Sequence, residues 1–242
     1  MLPSRYNLIH ALAATAVLLA TIFSQGLAAF WQQFAHGIPG ALTPSLMLQC
    51  FLHTGILFGT LWLVLWASSL SLENRVSNGP DAPRPPVGRV RAVRLAACWS
   101  PLFIAVALGL NWLGAAGIRF FTGIDPSEQE LVKCFTSEAT PLGYRIGLGL
   151  LVLIEAPLLE EPLFRGVIFR GFASSLPIWA ATALSSLLFA LVHANAPSFI
   201  ALCFLGCAFA WLYRRTGTIL APMTAHALFN AANLALLPFL SP

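Results

Sequence analysis

Long apolar stretches dominate this chain and restrict it to few folds. Most of them approach or exceed the roughly 20 residues that an α-helix needs to cross the hydrocarbon core of a bilayer. Hydrophobic residues make up 58% of the sequence and charged residues only 9%, a balance typical of membrane proteins and not of soluble domains. We therefore predict an all-α, polytopic membrane bundle with about seven transmembrane helices, over residues 7–30, 46–70, 95–118, 142–173, 177–194, 198–213 and 217–240.

The arginines indicate how this bundle is oriented. A cluster of them lies in the connection between the second and third predicted helices, at Arg75, Arg84, Arg89, Arg91 and Arg94. Cytoplasmic loops are enriched in Lys and Arg, so we expect loop 71–94 and the N-terminus to be cytoplasmic. Arginines that orient the helices also account for the formal net charge of +4, so this charge does not require a nucleic-acid partner.

The same connection divides the chain into parts. It is rich in proline and polar residues, as linkers between structured regions often are. We predict a two-helix N-terminal membrane segment over 1–74, a basic, proline-rich cytoplasmic linker over 75–94 and a larger membrane domain over 95–242.

Two glycine pairs have the spacing of close helix packing. Gly55 and Gly59 lie one turn apart in the second predicted helix, and Gly143 and Gly147 lie one turn apart in the fourth. Small residues at this spacing allow helix backbones to approach each other closely in a membrane. We predict that both pairs serve packing.

The first candidate site is a polar segment inside the fourth predicted helix, Glu155-Ala-Pro-Leu-Leu-Glu-Glu-Pro-Leu-Phe-Arg165. Ionisable residues at bilayer depth are costly, so their presence indicates function. Glu161 and Arg165 lie on one helix face, in the order that favours an ion pair. Glu160 points about 100° away from Glu161, so it can face an intramembrane cavity as the reacting carboxylate. The two prolines of the segment free backbone carbonyls and predict a bend around the site.

Two later helices add further polar side chains at helical spacing. Phe189 and His193 lie one turn apart, as do His226 and Asn230, so each pair shares a helix face. A lone histidine in a membrane helix is usually a packed, hydrogen-bonded residue. Two histidines, an amide and an unpaired glutamate in consecutive helices favour a shared site, and the helical rise allows them to meet within the bilayer.

These residues, in this order, resemble the motif series of the CPBP intramembrane proteases, a family that includes the type II CAAX prenyl endopeptidases and bacteriocin-immunity-type proteins. The similarity extends over about residues 142–240. It implies hydrolysis of a peptide bond inside the membrane, in a helical fold whose cavity opens towards the cytoplasm, and it makes 95–242 the catalytic domain. It also implies roles by position: water activation by Glu160 and His193, oxyanion stabilisation by His226 and Asn230, and structural support by Glu161, Arg165 and Phe189.

A metal-dependent version of the same hydrolase is an alternative. Glu160, His193 and His226 can supply three ligands and leave a position for water, as catalytic zinc sites do. The sequence has no H-E-x-x-H motif, and its five cysteines have no metal-binding spacing. We therefore favour a mechanism without a cofactor and keep zinc as the alternative.

Two other classes of protein place polar residues in a membrane. A proton-coupled transporter can relay protons through Glu155, Glu160 and the histidines, but we find no inverted repeat of the kind many transporters have. A non-catalytic immunity or scaffold protein can keep the same fold, although all four expected catalytic positions are filled here. We expect an endopeptidase of the bacterial inner membrane that acts on a membrane-embedded or lipid-anchored protein substrate, with the lipid bilayer as its surroundings.

Overall fold

The computed structural model describes residues 86–126, 132, 135–136 and 140–240, with the side chains of 144 and 238–240 excepted. Regular secondary structure within these ranges is entirely helical, which confirms the all-α prediction for this part of the chain. The first two predicted helices and the linker up to residue 85 lie outside the described residues. The count of seven membrane spans therefore stays a prediction.

The main elements follow the five predicted helices of this region. They are α1 (Arg89–Thr122), an interrupted helix over residues 142–173, α5 (Ile178–Val192), α6 (Phe199–Thr216) and α7 (Leu220–Leu240). The first of them starts before the predicted residue 95, so Arg89, Arg91 and Arg94 are helical and not part of an irregular linker. It ends at Gly123, whose φ of 70° gives the left-handed conformation that glycine adopts without steric cost.

The interrupted helix carries the polar segment, and we call it the glutamate helix. It consists of α2 (Leu142–Leu150), the π-helical segment π1 (Leu151–Glu155), α3 (Ala156–Glu161), the π-helical segment π2 (Pro162–Phe169) and α4 (Arg170–Ala173). Proline lacks the amide hydrogen that closes a helical turn, and the two prolines lie just inside α3 and at the start of π2. The sequence predicts a bend from these prolines. The structure has two wide turns next to them, one on either side of the paired glutamates.

The helices pack around a core that is rich in aromatic residues. α5 lies against α6, while α1 lies against both α6 and α7. Phe164, Phe169, Phe189 and Phe209 are each 2% exposed or less, and large apolar residues on the outer faces are exposed, as expected for surfaces that contact lipid. By length and composition, α1, α6 and the Leu220–Leu237 part of α7 can cross a membrane.

α5 differs from those helices because it is short. Its 15 residues span about 22 Å, which is less than the roughly 30 Å thickness of the hydrocarbon core. It carries no charged residue, and His193 follows its last residue. A helix of this length that starts at a membrane surface would place the polar residue at its other end inside the bilayer.

Glycines make close helix contacts in the described part of the chain, but Gly143 and Gly147 are not among them. A Cβ atom built on Gly206 of α6 would lie 2.7 Å from the Ser186 Cβ and 2.8 Å from the Ser186 Cα on α5. At Gly143 and Gly147 such an atom would meet nothing within 4 Å among the described residues. The predicted packing of that pair is therefore not made within the described part, and the Gly55 and Gly59 pair lies outside it.

We expect Gly206→Ala to lower the free energy of unfolding by about 1–3 kcal/mol, because the added methyl overpacks a helix crossing whose nearest atoms include backbone. Gly109→Ala in α1 is the matched control, since a Cβ atom there would meet nothing within 4 Å. Thermal unfolding in detergent measures both variants. Equal unfolding temperatures for the two would contradict the predicted contact between Gly206 and Ser186.

Candidate active site

The two neighbouring glutamates of α3 occupy different surroundings. The Glu161 side chain is 0% exposed, whereas that of Glu160 is 29% exposed. Successive residues on a helix point about 100° apart, so one carboxylate faces the core and the other faces its edge. Glu161 thus lies on the buried face with Arg165, and Glu160 lies on a partly exposed face; the role of Glu160 stays a prediction.

Arg165 is fully buried beside Glu161 and among aromatic rings. Its Nε lies 3.0 Å from Glu161 Oε2, a close charge contact, although the two groups are not aligned as a hydrogen bond. The guanidinium carbon lies 4.9, 5.5 and 5.7 Å from the ring centres of Phe189, Phe209 and Phe164. Ring faces attract a cation in a dry site, so the charge is balanced by one carboxylate and three aromatic rings.

The second oxygen of Glu161 contacts His226 of α7. His226 Nδ1 lies 3.0 Å from Glu161 Oε1, with both side chains buried, and its ring stacks on Phe209 at 5.3 Å between centres. The sequence paired His226 with Asn230 on one helix face. The structure instead connects His226 to the glutamate helix, because a side chain on α7 has acceptors on its neighbour within reach.

Asn230 is likewise engaged with the glutamate helix. Its Nδ2 donates to the Val152 carbonyl oxygen at 2.8 Å. In the i to i+5 pattern of a π-helix the Val152 carbonyl would accept from residue 157, which is a proline and has no amide hydrogen. A side chain therefore replaces the backbone donor that the proline removes. Ser185 of α5 contacts the second wide turn, where it donates to the Phe164 carbonyl oxygen at 3.2 Å.

His193 lies where α5 ends and faces Glu160. Its Nδ1 is 2.6 Å from the carbonyl oxygen of Phe189, one of the last carbonyls of the helix, which have no intrahelical donor. A carbonyl oxygen only accepts, so Nδ1 carries the hydrogen in this contact, and in the neutral ring Nε2 then presents a lone pair. That Nε2 lies 3.7 Å from Glu160 Oε2.

One oxygen of the Glu160 carboxylate is available for a hydrogen bond at this point. Its Oε2 is buried and has no hydrogen-bond partner among the described residues, and the side chains of Glu160 and His193 are exposed to a similar, partial extent. Two acceptor atoms thus face the same small region. A donor of two hydrogens, such as water, satisfies both atoms at once.

A strained residue follows His193. Ala194 has a φ of 47°, the left-handed conformation that costs an ordinary residue about 1–2 kcal/mol. Its amide donates to the Leu191 carbonyl at 3.1 Å, which turns the chain out of the helix directly after the histidine. Strain of this kind persists where the surrounding structure fixes it, and it is often found at functional sites.

The metal-dependent alternative requires Glu160, His193 and His226 to converge. Within the described residues, no three His, Cys, Asp or Glu side chains are grouped so that they could hold one metal ion. His226 directs Nδ1 to Glu161 and not to Glu160. The donor set named for zinc is therefore not assembled in this arrangement.

Several residues of the site carried no motif signal. Ser185 and Ser186 form a polar pair in an otherwise apolar helix, and such a pair in a membrane segment indicates an interhelical contact. Phe209 and Val152 gave no signal, since any apolar residue in a membrane helix has the same appearance in the sequence. The sequence did not identify these residues because their contacts lie between helices.

Comparisons with known proteins give a family match and a match to one relative. Residues 142–232 match the family model described as type II CAAX prenyl endopeptidase Rce1-like. The chain is also 36% identical over 77 residues to "Putative membrane peptidase YdiL" of Bacillus subtilis (strain 168), a match that covers 32% of each chain. The alignment thus spans about a third of that relative. No solved structure gives a significant match.

Proposed function

We propose that this chain, whose residues 142–232 form an Rce1-like domain of the CPBP family, is an intramembrane endopeptidase. The matched region contains the paired glutamates, both histidines and Asn230. Apolar helices and a relative described as a membrane peptidase agree with a protease that works within a membrane. The finer roles given below are our proposal for the individual residues.

The observation that carries the proposal is the facing pair of acceptors on Glu160 and His193. With Nδ1 of His193 bound to a backbone carbonyl, its Nε2 and the Glu160 Oε2 can each accept one hydrogen from a single water molecule. A water held in this way directs its oxygen lone pair towards a substrate. The 3.7 Å separation of the two atoms is too long for a direct hydrogen bond, so both atoms are available to a water molecule.

In the reaction, the water oxygen attacks the carbonyl carbon of the scissile bond and Glu160 takes a proton from the water. The carbonyl π electrons move to oxygen and form an oxyanion. When the tetrahedral intermediate collapses, the bond from carbon to nitrogen breaks and the protonated Glu160 returns its proton to the leaving amine. General base and acid catalysis of this kind typically contributes a factor of about 10² to 10⁴.

His226 and Asn230 are proposed to stabilise the oxyanion with the donors that the fold leaves them. One Asn230 amide hydrogen is used on Val152, and an amide nitrogen has a second. When Nδ1 of His226 donates to Glu161 Oε1 at 3.0 Å, Nε2 can donate as well if both ring nitrogens carry hydrogen. Donors held in advance at such a position are worth about 2.7–4 kcal/mol each in a dry site.

The proposed substrate is a membrane-embedded or lipid-anchored protein, cut in or near its C-terminal or transmembrane segment. A site enclosed by helices within the bilayer reaches such a segment more readily than a soluble peptide. We further propose that loop 71–94 is cytoplasmic and that the protein lies in the bacterial inner membrane. The distribution of arginines along the sequence supports this orientation.

The test is cleavage of a membrane-peptide reporter by purified protein, with and without the chelator phenanthroline. We expect cleavage that the chelator does not alter. Loss of cleavage with chelator and recovery with added zinc would favour the metal-dependent alternative. Absence of cleavage across a panel of reporters, together with unchanged membrane proteins in cells lacking the gene, would favour the non-catalytic scaffold.

A further inference from the structure

The loop between α5 and α6 begins with His193 and is held by a helix outside the family match. This loop covers residues 193–198, and the matched region starts at residue 142, so α1 does not belong to it. α1 nevertheless packs against α6. It also contacts the loop, through Asn111 and Gly114.

The first contact is a hydrogen bond between two polar side chains. Ser198 Oγ donates to Asn111 Oδ1 at 2.7 Å. An asparagine within a predicted membrane span is costly unless its polar atoms are paired, so Asn111 has a physical reason to hold the loop.

The second contact is a close backbone approach three residues further along α1. A Cβ atom built on Gly114 would lie 2.1 Å from the carbonyl oxygen of Pro197. Any side chain larger than hydrogen at this position requires the loop or the helix to move, because the obstructing atom belongs to the backbone. The same construction on Gly109 and Gly117 of the same helix meets nothing within 4 Å.

The loop itself is tied together internally, so a displacement at one end reaches the other. Asn195 Oδ1 accepts from the Ser198 amide at 3.2 Å, and the Phe199 amide donates to the Ala196 carbonyl at 3.3 Å. Ala194 holds the left-handed turn next to His193. The loop therefore behaves as one compact unit between the histidine and the point where α1 holds it.

We propose that Asn111 and Gly114 of α1 are positioning residues, which fix the loop 193–198 and through it the place of His193 opposite Glu160. The inference rests on the proposed function, because it assigns a catalytic purpose to His193. It also gives α1 a part in the site, although no motif of the family lies on that helix. Misplacing a catalytic group by about 1 Å can reduce a rate by about 10²-fold.

Gly114→Ala tests the proposal against its matched control Gly117→Ala. We expect Gly114→Ala to lower kcat by about 10²-fold per folded molecule with KM little changed, and Gly117→Ala to match the wild type. Amide hydrogen exchange of the peptide covering residues 193–199 gives a readout that needs no turnover. It should become about tenfold faster in Gly114→Ala alone, since local opening of the loop controls this exchange.

A second pair of variants keeps the proposal testable if Gly114→Ala fails to fold. Ser198→Ala removes the donor to Asn111, and Ser198→Thr keeps a hydroxyl. We expect the alanine variant to lower kcat and the threonine variant to recover it. Asn111→Ala combined with Ser198→Ala should cost no more than either change alone, because both remove the same bond.

Three results would overturn the positioning role. They are loop exchange in Gly114→Ala as slow as in Gly117→Ala, faster exchange without a fall in kcat, or full activity in Ser198→Ala. Failure of the proposed function is distinguishable from these. In that case the wild type cleaves no reporter, while the exchange measurement still reports whether α1 holds the loop.

Discussion

Glu160→Gln is expected to lower the rate of peptide cleavage by about 10³-fold or more and to leave the fold intact. Glutamine has nearly the same shape as glutamate, but it cannot take a proton from water at neutral pH, so only the base is lost. The Glu160 carboxylate is partly exposed and makes no ion pair with Arg165. Reporter cleavage and thermal unfolding in detergent together measure the two parts of the prediction.

Glu155→Gln is the control for this experiment. Glu155 lies on the same helix, at the end of the first wide turn, and has no proposed role in the reaction. We expect it to keep cleavage within a few-fold of the wild type. Full activity in Glu160→Gln would refute the assignment of the base, and loss of activity in both variants would indicate a relay that uses more than one carboxylate.

Arg165→Ala is expected to destabilise the protein strongly, by about 3–5 kcal/mol, because it leaves a buried carboxylate without its partner. Both side chains of the pair are 0% exposed, and the space between the three aromatic rings would also lose the guanidinium group. Chemical or thermal unfolding in detergent measures the loss. We expect lower yield of folded protein as its first sign.

Two further variants distinguish the effect of an unpaired buried charge on stability from the general effect of a substitution in a helix. Arg215→Ala removes an exposed arginine near the end of α6 and should change the free energy of unfolding by no more than about 0.5 kcal/mol. Glu161→Gln combined with Arg165→Leu leaves no unpaired charge and should recover part of the stability. An Arg165→Ala protein as stable as the wild type would disprove the structural role of the ion pair.

Contacts within one helix could be predicted from the sequence. The ion pair of Glu161 with Arg165 and the placement of His193 over Phe189, at 4.7 Å between ring centres, both follow from residues one turn apart. Helix positions in the described part were also predictable, since continuous apolar runs in a membrane form helices. The roles of the site residues stay predictions.

Contacts between helices could not be predicted in the same way. His226 contacts Glu161 and Asn230 contacts Val152 because of how α7 lies against the glutamate helix. No spacing within one helix contains that information. The close approach of Gly114 to Pro197 has the same origin, since either residue alone is an ordinary member of a membrane helix or a turn.

The two wide turns that flank α3 have a consequence for insertions and deletions. A π-helical turn accommodates about one residue more than an α-helical turn of the same rise. A wide turn that loses one residue can close as an ordinary α-helical turn, so the residues beyond it keep their direction about the helix axis. α3 has no such extra residue. A residue lost from α3 would rotate what lies beyond it by about 100°, which is the angle between Glu160 and Glu161.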